Sequence, residues 1–395
     1  MKNKVGNPAR GTDFFKRERE VEKIVQRLAD GNNLQIAAPR RVGKTSILWY
    51  LLDNKINGYT YVYVDTEAID DSEEFFKKLL KAILASNEIN QSARLKELFN
   101  KGIKALSKIK SIKILGHGFD LSETKEEHYY YEDLTNLLSA IELDNSQKLV
   151  LLIDEFPQTI QNMVERANGN EANAKKFLQL NRDLRLNPEI NERVNFIYTG
   201  SIGLNHTVAS INSTAFVNAL SSVEIDALSK EDAETLLGEL LLEKNITIEN
   251  TAKELLLQKL EWLIPFHIQL AVQELTSLVY AEKHIETKHI NLVFVEMIEA
   301  RNNNHFEHYS SRLKSQFKGE AFNYADELLQ KLAKEETLTK TQLFDLSAKF
   351  NQENNYRQIL EILVYDGYIH NTGDVNTYRF NSPIVRMWWQ KFICK

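Results

Sequence analysis

One stretch of the chain combines a small backbone, a lysine and a hydroxyl in the order that a phosphate-binding loop requires. Gly43 lets the backbone approach an anion, Lys44 supplies a positive charge for the β- and γ-phosphates, and Thr45 offers a hydroxyl to Mg²⁺. An apolar run predicts a strand before the loop, and a leucine-rich run predicts a helix after it, whose free N–H groups also favour an anion. The predicted nucleotide-binding segment consists of Ala38, Pro39, Arg40, Arg41, Val42, Gly43, Lys44, Thr45 and Ser46.

Ala38 departs from the usual pattern of this loop. It occupies the place at which G-x-x-x-x-G-K-[ST] has its first glycine. Alanine is the smallest replacement, although it accepts a strained backbone less readily than glycine. The flanking strand and helix favour a nucleotide site over the alternative, an ordinary turn between a strand and a helix.

Two adjacent acids, Asp154 and Glu155, follow Lys148 and the apolar run of residues 149–153. A continuous apolar run is typical of a strand that is buried on both faces of a parallel sheet. If Lys44 binds a nucleotide phosphate, Asp154 is placed to hold Mg²⁺ together with Thr45. Glu155 is then placed to activate the attacking water as a general base. The alternative is that both acids are turn residues.

Further candidates follow the next predicted strand and the helix before it. Thr199 or Ser201 could contact the γ-phosphate or the attacking water, and the alternative is an ordinary turn. Three arginines are candidates to act in trans on the nucleotide of a neighbouring copy, although for each of them alone a surface role is favoured. These are Arg182, Arg185 and Arg193, of which Arg185 is our preferred catalytic candidate.

Composition indicates a soluble, helix-rich protein of two or three domains. The chain has 395 residues, of which 43% are apolar and 26% are charged. The net charge of −6 provides no overall attraction to nucleic acid or to an acidic membrane. The single cysteine, Cys394, excludes a disulfide framework and a thiolate metal cluster. We expect a cytoplasmic protein without a membrane segment, because the sequence contains neither a long apolar stretch nor an apolar signal core.

The stretch 75–113 is strongly basic within this acidic chain. It holds ten Lys or Arg and two acids. Solvated helix faces are the usual explanation, and a patch for nucleic acid or an acidic partner is the alternative. The apolar residues on either side of Gly116-His117-Gly118 predict a short hairpin inserted after these helices.

The alternation of strands and helices predicts an α/β P-loop NTPase with a parallel sheet and flanking helices. We place this core at residues 1–227, with a basic helical and hairpin insertion at about 75–122. Residues 228–316 are helical in pattern and form an all-α lid, and residues 317–395 form a C-terminal module.

The C-terminal module has the pattern of a winged helix. Three predicted helices precede two short strands that flank the turn Asn371–Asp374. Such folds often bind DNA through the third helix. Residues 318–395 hold ten basic and ten acidic side chains, however, and duplex binding without a basic excess is hard to support. A protein contact or an intramolecular role is therefore favoured.

The motifs together resemble one family. Its phosphate loop matches Ala38–Thr45, its acidic strand end matches Asp154-Glu155, and its C-terminal ending matches Asp366–Tyr368 and Tyr378–Trp389. On these residues the chain resembles the STAND branch of AAA-type P-loop ATPases, in particular the archaeal-type group with a C-terminal winged helix. The resemblance covers most of the chain.

Two further family motifs are matched in part. The opening motif matches Phe14–Glu20 with Lys16 in place of glycine, which makes Phe15 and Arg17 expected nucleotide contacts. The lid motif Gly-x-Pro is matched only by Pro265, because Leu263 stands where glycine is usual. The family implies that ATP or ADP is held between the P-loop domain and the lid, and that nucleotide state controls opening or oligomerisation.

Our leading hypothesis is a Mg²⁺-dependent ATPase switch that binds an adenine nucleotide and acts on a protein partner or through self-association. Lys44 would hold the phosphates, Thr45 and Asp154 the metal, and Glu155 the water. One alternative is a DNA-binding AAA-type protein like an initiator or a loader, which would use residues 75–113 or the winged helix. Another is a scaffold that holds a nucleotide without turnover.

Overall fold

The computed structural model describes residues 1–86, 89, 112–115, 118–121, 130–141, 143, 147–166, 170–201, 203–374 and 376–394. Most of the predicted basic stretch and its helices therefore lie outside the described residues. The chain forms two compact units. The sheet unit contains Lys16–Ala38 and Lys44–Ile225, and the helical unit contains Met1–Phe15, Pro39–Gly43 and Asp226–Lys395.

The sheet unit is built on five parallel strands in the order β2-β5-β6-β1-β7. This arrangement confirms the predicted α/β class. The strands of the sheet unit are β1 (Leu34–Ala37), β2 (Tyr59–Asp65), β3 (Ile112–Leu115), β4 (Gly118–Leu121), β5 (Lys148–Asp154), β6 (Val194–Thr199) and β7 (Ser221–Glu224). Its helices are α1 (Glu18–Ala29), α2 (Lys44–Asn54), α3 (Ser72–Ala85), α4 (Tyr130–Ala140), α5 (Phe156–Arg166), α6 (Glu171–Leu186), α7 (Pro188–Asn191) and α8 (Leu204–Ser210).

The predicted elements agree closely with the observed ones. Strand β5 covers the predicted apolar run and ends at Asp154, and β3 pairs antiparallel with β4 as the predicted hairpin. Helix α2 begins at Lys44, so the lysine lies in its first turn. Strand β7 ends at Glu224, which pairs with Ala37, the last residue of β1.

An aromatic cluster covers one face of β5 and β6. Phe75, Phe156 and Phe177 are fully buried, and the ring of Phe75 lies 4.8 Å from that of Phe177. Phe156 follows the acid pair directly, and its ring lies 4.5 Å from that of Tyr198 on β6. Removing one such ring typically costs about 3–5 kcal/mol. The cluster therefore anchors the ends of the two strands that carry the polar candidates.

The helical unit consists mainly of helices, with short strands in its last part. Its helices are α9 (Lys230–Glu243), α10 (Asn250–Leu260), α11 (Pro265–Leu278), α12 (Thr287–Met297), α13 (Glu307–Gln316), α14 (Gly319–Glu335), α15 (Lys340–Ala348), α16 (Tyr356–Tyr365) and α17 (Pro383–Phe392). Its strands are β8 (Thr247–Ile248), β9 (His284–Ile285), β10 (Leu338–Thr339), β11 (Ile369–Asn371) and β12 (Thr377–Phe380).

The last part of the helical unit contains the three helices and the hairpin expected from the sequence. Strands β11 and β12 pair antiparallel, and β10 adds to β12 as a third strand. Trp388 and Trp389 of α17 are buried against this part of the unit. The assignment of these elements to a winged-helix domain stays a prediction, as do the predicted domain boundaries.

Each residue of the segment Asp366-Gly367-Tyr368 has a defined structural role. The Asp366 carboxylate accepts a hydrogen bond from Arg312 at 2.7 Å, and the Tyr368 hydroxyl donates to the carbonyl of Tyr309 at 2.7 Å. Gly367 has φ +78°, and a Cβ there would meet both Pro39 and Trp262 at 2.9 Å. A side chain at position 367 would therefore be strained and crowded.

Pro265 is the first residue of α11. Among the described residues no group of three or more His, Cys, Asp or Glu could hold a metal ion. No helix in the described ranges is long and apolar enough to cross a membrane.

His267 in α11 predicts a measurable pH dependence of stability. Its side chain is fully buried, and this burial lowers its pKa from 6.5 to about 4. Between these values the unfolded chain binds more protons, so stability falls as the pH falls. Replacing His267 with Gln should reduce the loss of unfolding free energy between pH 7 and pH 5 by about 2 kcal/mol, measured by urea unfolding. The matched control is His284→Gln, which changes a half-exposed histidine of the same unit. An unchanged slope in His267→Gln would contradict the prediction.

Candidate functional site

The connection from β1 to α2 places Lys44 at the start of a helix. Lys44 is 6% exposed, and its Nζ donates to the carbonyl oxygen of Ala38 at 2.8 Å. The first N–H groups of a helix have no partner inside the helix and attract an anion. A buried ammonium beside them adds a full positive charge, so this end of α2 suits a phosphate group.

Asp154 ends β5 and receives hydrogen bonds from four groups of the sheet unit. Its Oδ2 accepts from Thr45 Oγ1 at 2.8 Å and from the Tyr63 hydroxyl at 3.2 Å. Its Oδ1 accepts from the Thr199 hydroxyl and from the Glu155 N–H. The structure therefore brings together the loop hydroxyl, the acid pair and the end of β6, which are far apart in the sequence.

The pKa of Asp154 is raised, and burial is the main cause. The carboxylate is 3% exposed, and this burial raises its pKa, while the hydrogen bonds from Thr199 and Thr45 and the charge of Lys44 act in the opposite direction. A carboxylate and a threonine hydroxyl are hard oxygen ligands of the kind that Mg²⁺ prefers. Thr45 and Asp154 thus fit a magnesium ion, whose positive charge would also compensate the buried carboxylate.

Glu155 is held in an unusual backbone conformation. It has φ +58°, which is uncommon for a residue other than glycine. Its Oε2 accepts from the Ser201 N–H at 2.9 Å and from the Ser201 hydroxyl at 2.8 Å. Strained backbone often occurs at functional sites, where the surrounding structure stabilises it. The carboxylate is thereby fixed beside the end of β6 and next to Asp154.

Tyr63 is the residue of this network that sequence reasoning missed. It lies on β2, which neighbours β5 in the sheet, and its ring packs edge-on against Trp49 of α2. Burial and the charge of Asp154 raise the pKa of Tyr63, so its hydroxyl stays a donor. Position 63 lies beside Asp154 only because β2 and β5 are neighbours in the sheet.

Two of the polar candidates from β6 and α6 have different outcomes. Thr199 is buried and donates to Asp154, so its predicted contact with a γ-phosphate or a water stays a prediction. Arg185 is a correction: it is 2% exposed and donates to the Tyr198 hydroxyl and the Phe216 carbonyl. A guanidinium engaged in this way inside its own unit does not fit a trans-acting arginine finger.

The remaining candidates are divided between the two units. In the sheet unit, Arg17 is buried and donates to Glu20 at 2.5 Å, and Ser46 is buried in α2. In the helical unit, Gly43 has φ +104°, which favours glycine there. The helical unit also contains Phe15, Pro39, Arg40, Arg41, Val42 and Pro265. Nucleotide contacts from all these residues stay predictions.

Comparison with known proteins supports the fold. No protein-family model and no curated protein matches the chain. A Walker-type ATPase of Pyrococcus abyssi has a similar structure, with a TM-score of 0.61 over 97% of this chain and 98% of its own, at 19% sequence identity. The ORC2 protein of Aeropyrum pernix, solved in ADPNP–ADP complexes, gives 0.55 over 98% and 94%, at 11% identity. The chain therefore has the α/β P-loop NTPase fold, a parallel sheet with flanking helices, that these structures share.

Proposed function

We propose that this protein is a Mg²⁺-dependent ATPase of the STAND type, in which the bound nucleotide controls conformation or assembly. The observation that carries the proposal is the 2.8 Å hydrogen bond between Thr45 and Asp154. It joins the hydroxyl of a phosphate-loop sequence to the acid that ends a buried strand, and these are the two residue types that hold Mg²⁺ in P-loop NTPases. The two structural neighbours, a Walker-type ATPase and a protein solved with adenine nucleotides, support it.

Each residue has a defined task in the proposed reaction. Lys44 and the first N–H groups of α2 hold the phosphates, and Thr45 and Asp154 hold the metal. Mg²⁺ held by these residues would supply the positive charge that stabilises the negative charge developing during hydrolysis. Glu155 accepts a proton from the attacking water, and Ser201 orients the Glu155 carboxylate for this step.

Lys44→Ala tests the binding step. The substitution removes the ammonium from the start of α2, and we expect affinity for ATP and ADP to fall by about 10- to 10²-fold, because a charge-assisted contact to phosphate contributes about 1.5–3 kcal/mol. Isothermal titration calorimetry with each nucleotide measures the change. The matched control is Lys78→Ala, which removes an exposed lysine from α3 of the same unit. Unchanged affinity in Lys44→Ala would overturn the proposed nucleotide site.

Glu155→Gln tests the chemical step separately from binding. The amide cannot accept the proton from water, so we expect phosphate release to fall by about 10²- to 10⁴-fold while ATP affinity is retained. Asp65→Asn is the control, because Asp65 is an exposed acid at the end of the neighbouring strand and caps its own turn at Glu67. Equal turnover in Glu155→Gln and the parent chain would remove Glu155 from the mechanism.

Tyr63→Phe tests whether the network around Asp154 prepares the metal ligand. The Tyr63 hydroxyl orients Asp154 Oδ2, so its loss should raise the Mg²⁺ concentration needed for half-maximal ATP binding by about 3- to 10-fold, since one hydrogen bond contributes about 0.5–1.5 kcal/mol. Titration of a fluorescent ATP analogue with Mg²⁺ measures this without turnover. Tyr61→Phe is the control, because its hydroxyl on the same strand bonds only weakly to Ile56, at 3.4 Å. Identical Mg²⁺ requirements in both variants would contradict the role of Tyr63.

The alternatives from the sequence keep the status of hypotheses. The DNA-binding hypothesis depends on the basic stretch 75–113, most of which lies outside the described residues, and on the winged helix. The third helix of that module, α16, carries Arg357 and Glu361, and Asp366 follows its last residue. The scaffold without turnover predicts tight nucleotide binding in the parent chain with no phosphate release. Phosphate release that is present in the parent chain and lost in Glu155→Gln supports the ATPase, and no release in either supports the scaffold.

A further inference from the structure

The peptide group between Asp154 and Glu155 is held at both of its polar atoms. Its carbonyl oxygen, which belongs to Asp154, accepts from the Thr66 N–H at 2.9 Å and from the Thr66 hydroxyl at 2.8 Å. Its N–H, which belongs to Glu155, donates to the Asp154 side chain at 3.2 Å. The Thr66 N–H continues the pairing of β2 with β5, and the hydroxyl adds a second donor to the same oxygen. Thr66 therefore fixes the orientation of this peptide plane.

The orientation of this peptide plane is linked to the strained backbone of Glu155. The φ angle of Glu155, +58°, describes the rotation between that plane and the rest of the residue. Turning the plane over would bring φ to negative values, which residues with a side chain prefer. The same movement would break both contacts of the Asp154 carbonyl with Thr66. The Thr66 hydroxyl thus opposes relaxation of the residue whose carboxylate is held by Ser201.

Thr66 is itself held by α5, the helix that begins directly after Glu155. The Thr66 carbonyl accepts from the Thr159 hydroxyl at 2.7 Å, and both threonines are fully buried. The N–H of Thr159 donates to the Glu155 carbonyl at 3.2 Å. These contacts close a ring that returns from Thr159 through Thr66 to the peptide group before Glu155. Hydrogen bonds that are shielded from water in this way are strengthened by the low local dielectric.

Asn162 of α5 holds the loop that follows Thr66. Its side-chain amide donates to the carbonyls of Glu67 and Ile69, at 2.8 and 3.1 Å, and its side-chain oxygen accepts from Gln158 at 3.0 Å. Its partners lie in α5 and in the loop between β2 and α3. The loop that carries Thr66 is therefore joined to the helix that follows the acid pair.

We propose that Thr66 is a positioning residue for Glu155 and that Thr159 supports it. This inference rests on the proposed function, in which Glu155 accepts the proton from water. The Thr66 hydroxyl acts through the Asp154 carbonyl, and Ser201 fixes the other end of the Glu155 side chain. With the backbone and the carboxylate both held, the chemical step requires no reorganisation of the base. Loss of the hydroxyl should therefore slow hydrolysis and leave ATP binding unchanged.

Thr66→Val in the full-length chain tests the effect on turnover. Valine resembles threonine in shape but lacks the hydroxyl, so we expect kcat for phosphate release to fall by about 3- to 10-fold with ATP affinity unchanged. Thr66→Ser keeps the hydroxyl and should restore kcat, although it loses a methyl group from the core. Thr159→Val should lower kcat in the same direction. A fall in Thr66→Ser as large as that in Thr66→Val would indicate packing alone and contradict the proposal.

The matched control is Thr135→Val in α4 of the same unit. It removes a hydroxyl that donates to the Tyr131 carbonyl at 2.8 Å, and it should leave kcat unchanged. Circular dichroism melts compare the stability that each variant loses. A fall in kcat that follows the loss of stability across Thr135→Val and Thr66→Val alike would assign Thr66 a structural role only.

A double-mutant cycle with Glu155→Gln shows whether Thr66 acts through Glu155. If it does, Thr66→Val should change kcat by less than about twofold in the Glu155→Gln background, because the group that it positions is already inactive. An equal fall in both backgrounds would overturn the proposal.

A second measurement needs no turnover. The Ser201 N–H donates to the Glu155 carboxylate at 2.9 Å, so looser positioning of Glu155 should speed hydrogen exchange of this amide. We expect exchange to be about 3- to 10-fold faster in Thr66→Val and unchanged in Thr66→Ser and Thr135→Val, by NMR of protein isotopically labelled at serine. Unchanged exchange in Thr66→Val would overturn the proposal whatever the turnover. If Glu155→Gln releases phosphate at the parent rate, the proposed function fails, and the exchange rate still decides whether Thr66 positions Glu155.

Discussion

The hydrogen bond from Thr45 to Asp154 is the contact on which the chemistry of the sheet unit depends. It connects the first turn of α2 to the end of β5, although 109 positions separate the two residues. Parallel strands place their carboxyl ends at one edge of a sheet, so a loop after one strand and acids after another can meet there. The aromatic rings behind β5 and β6 hold that edge in position. The geometry of the candidate site is therefore a consequence of sheet order.

The same edge also stores local strain. Glu155 adopts a left-handed backbone conformation directly after the strand, and Ser201 holds its carboxylate with two donors. Such a conformation costs about 1–3 kcal/mol and persists only where neighbouring contacts impose it. The backbone carbonyl of Asp154 contributes by accepting from both the N–H and the hydroxyl of Thr66. Contacts from β2, β5 and the segment after β6 thus fix the two acids in different orientations.

The sequence predicted the elements of the sheet better than the partners of individual side chains. The apolar run before Asp154 predicted β5 correctly, because burial on both faces leaves a continuous local signal. Tyr63 was missed because its partner depends on the lateral order of strands, which no local pattern encodes. Arg185 was predicted to act outside its own chain, but its partner Phe216 comes 31 residues later. Contacts of this kind follow from tertiary packing and not from periodicity.

The ion pair between Arg312 and Asp366 has a consequence for how this protein can change over evolutionary time. Both side chains are buried, and they are joined at 2.7 Å. Removing one member of a buried ion pair alone typically costs about 3–5 kcal/mol, because the other loses its counter-ion. Replacing both with apolar residues of similar volume would be far less harmful. Drift at these two positions is therefore coupled, and diverging lineages should either keep the pair or lose both members.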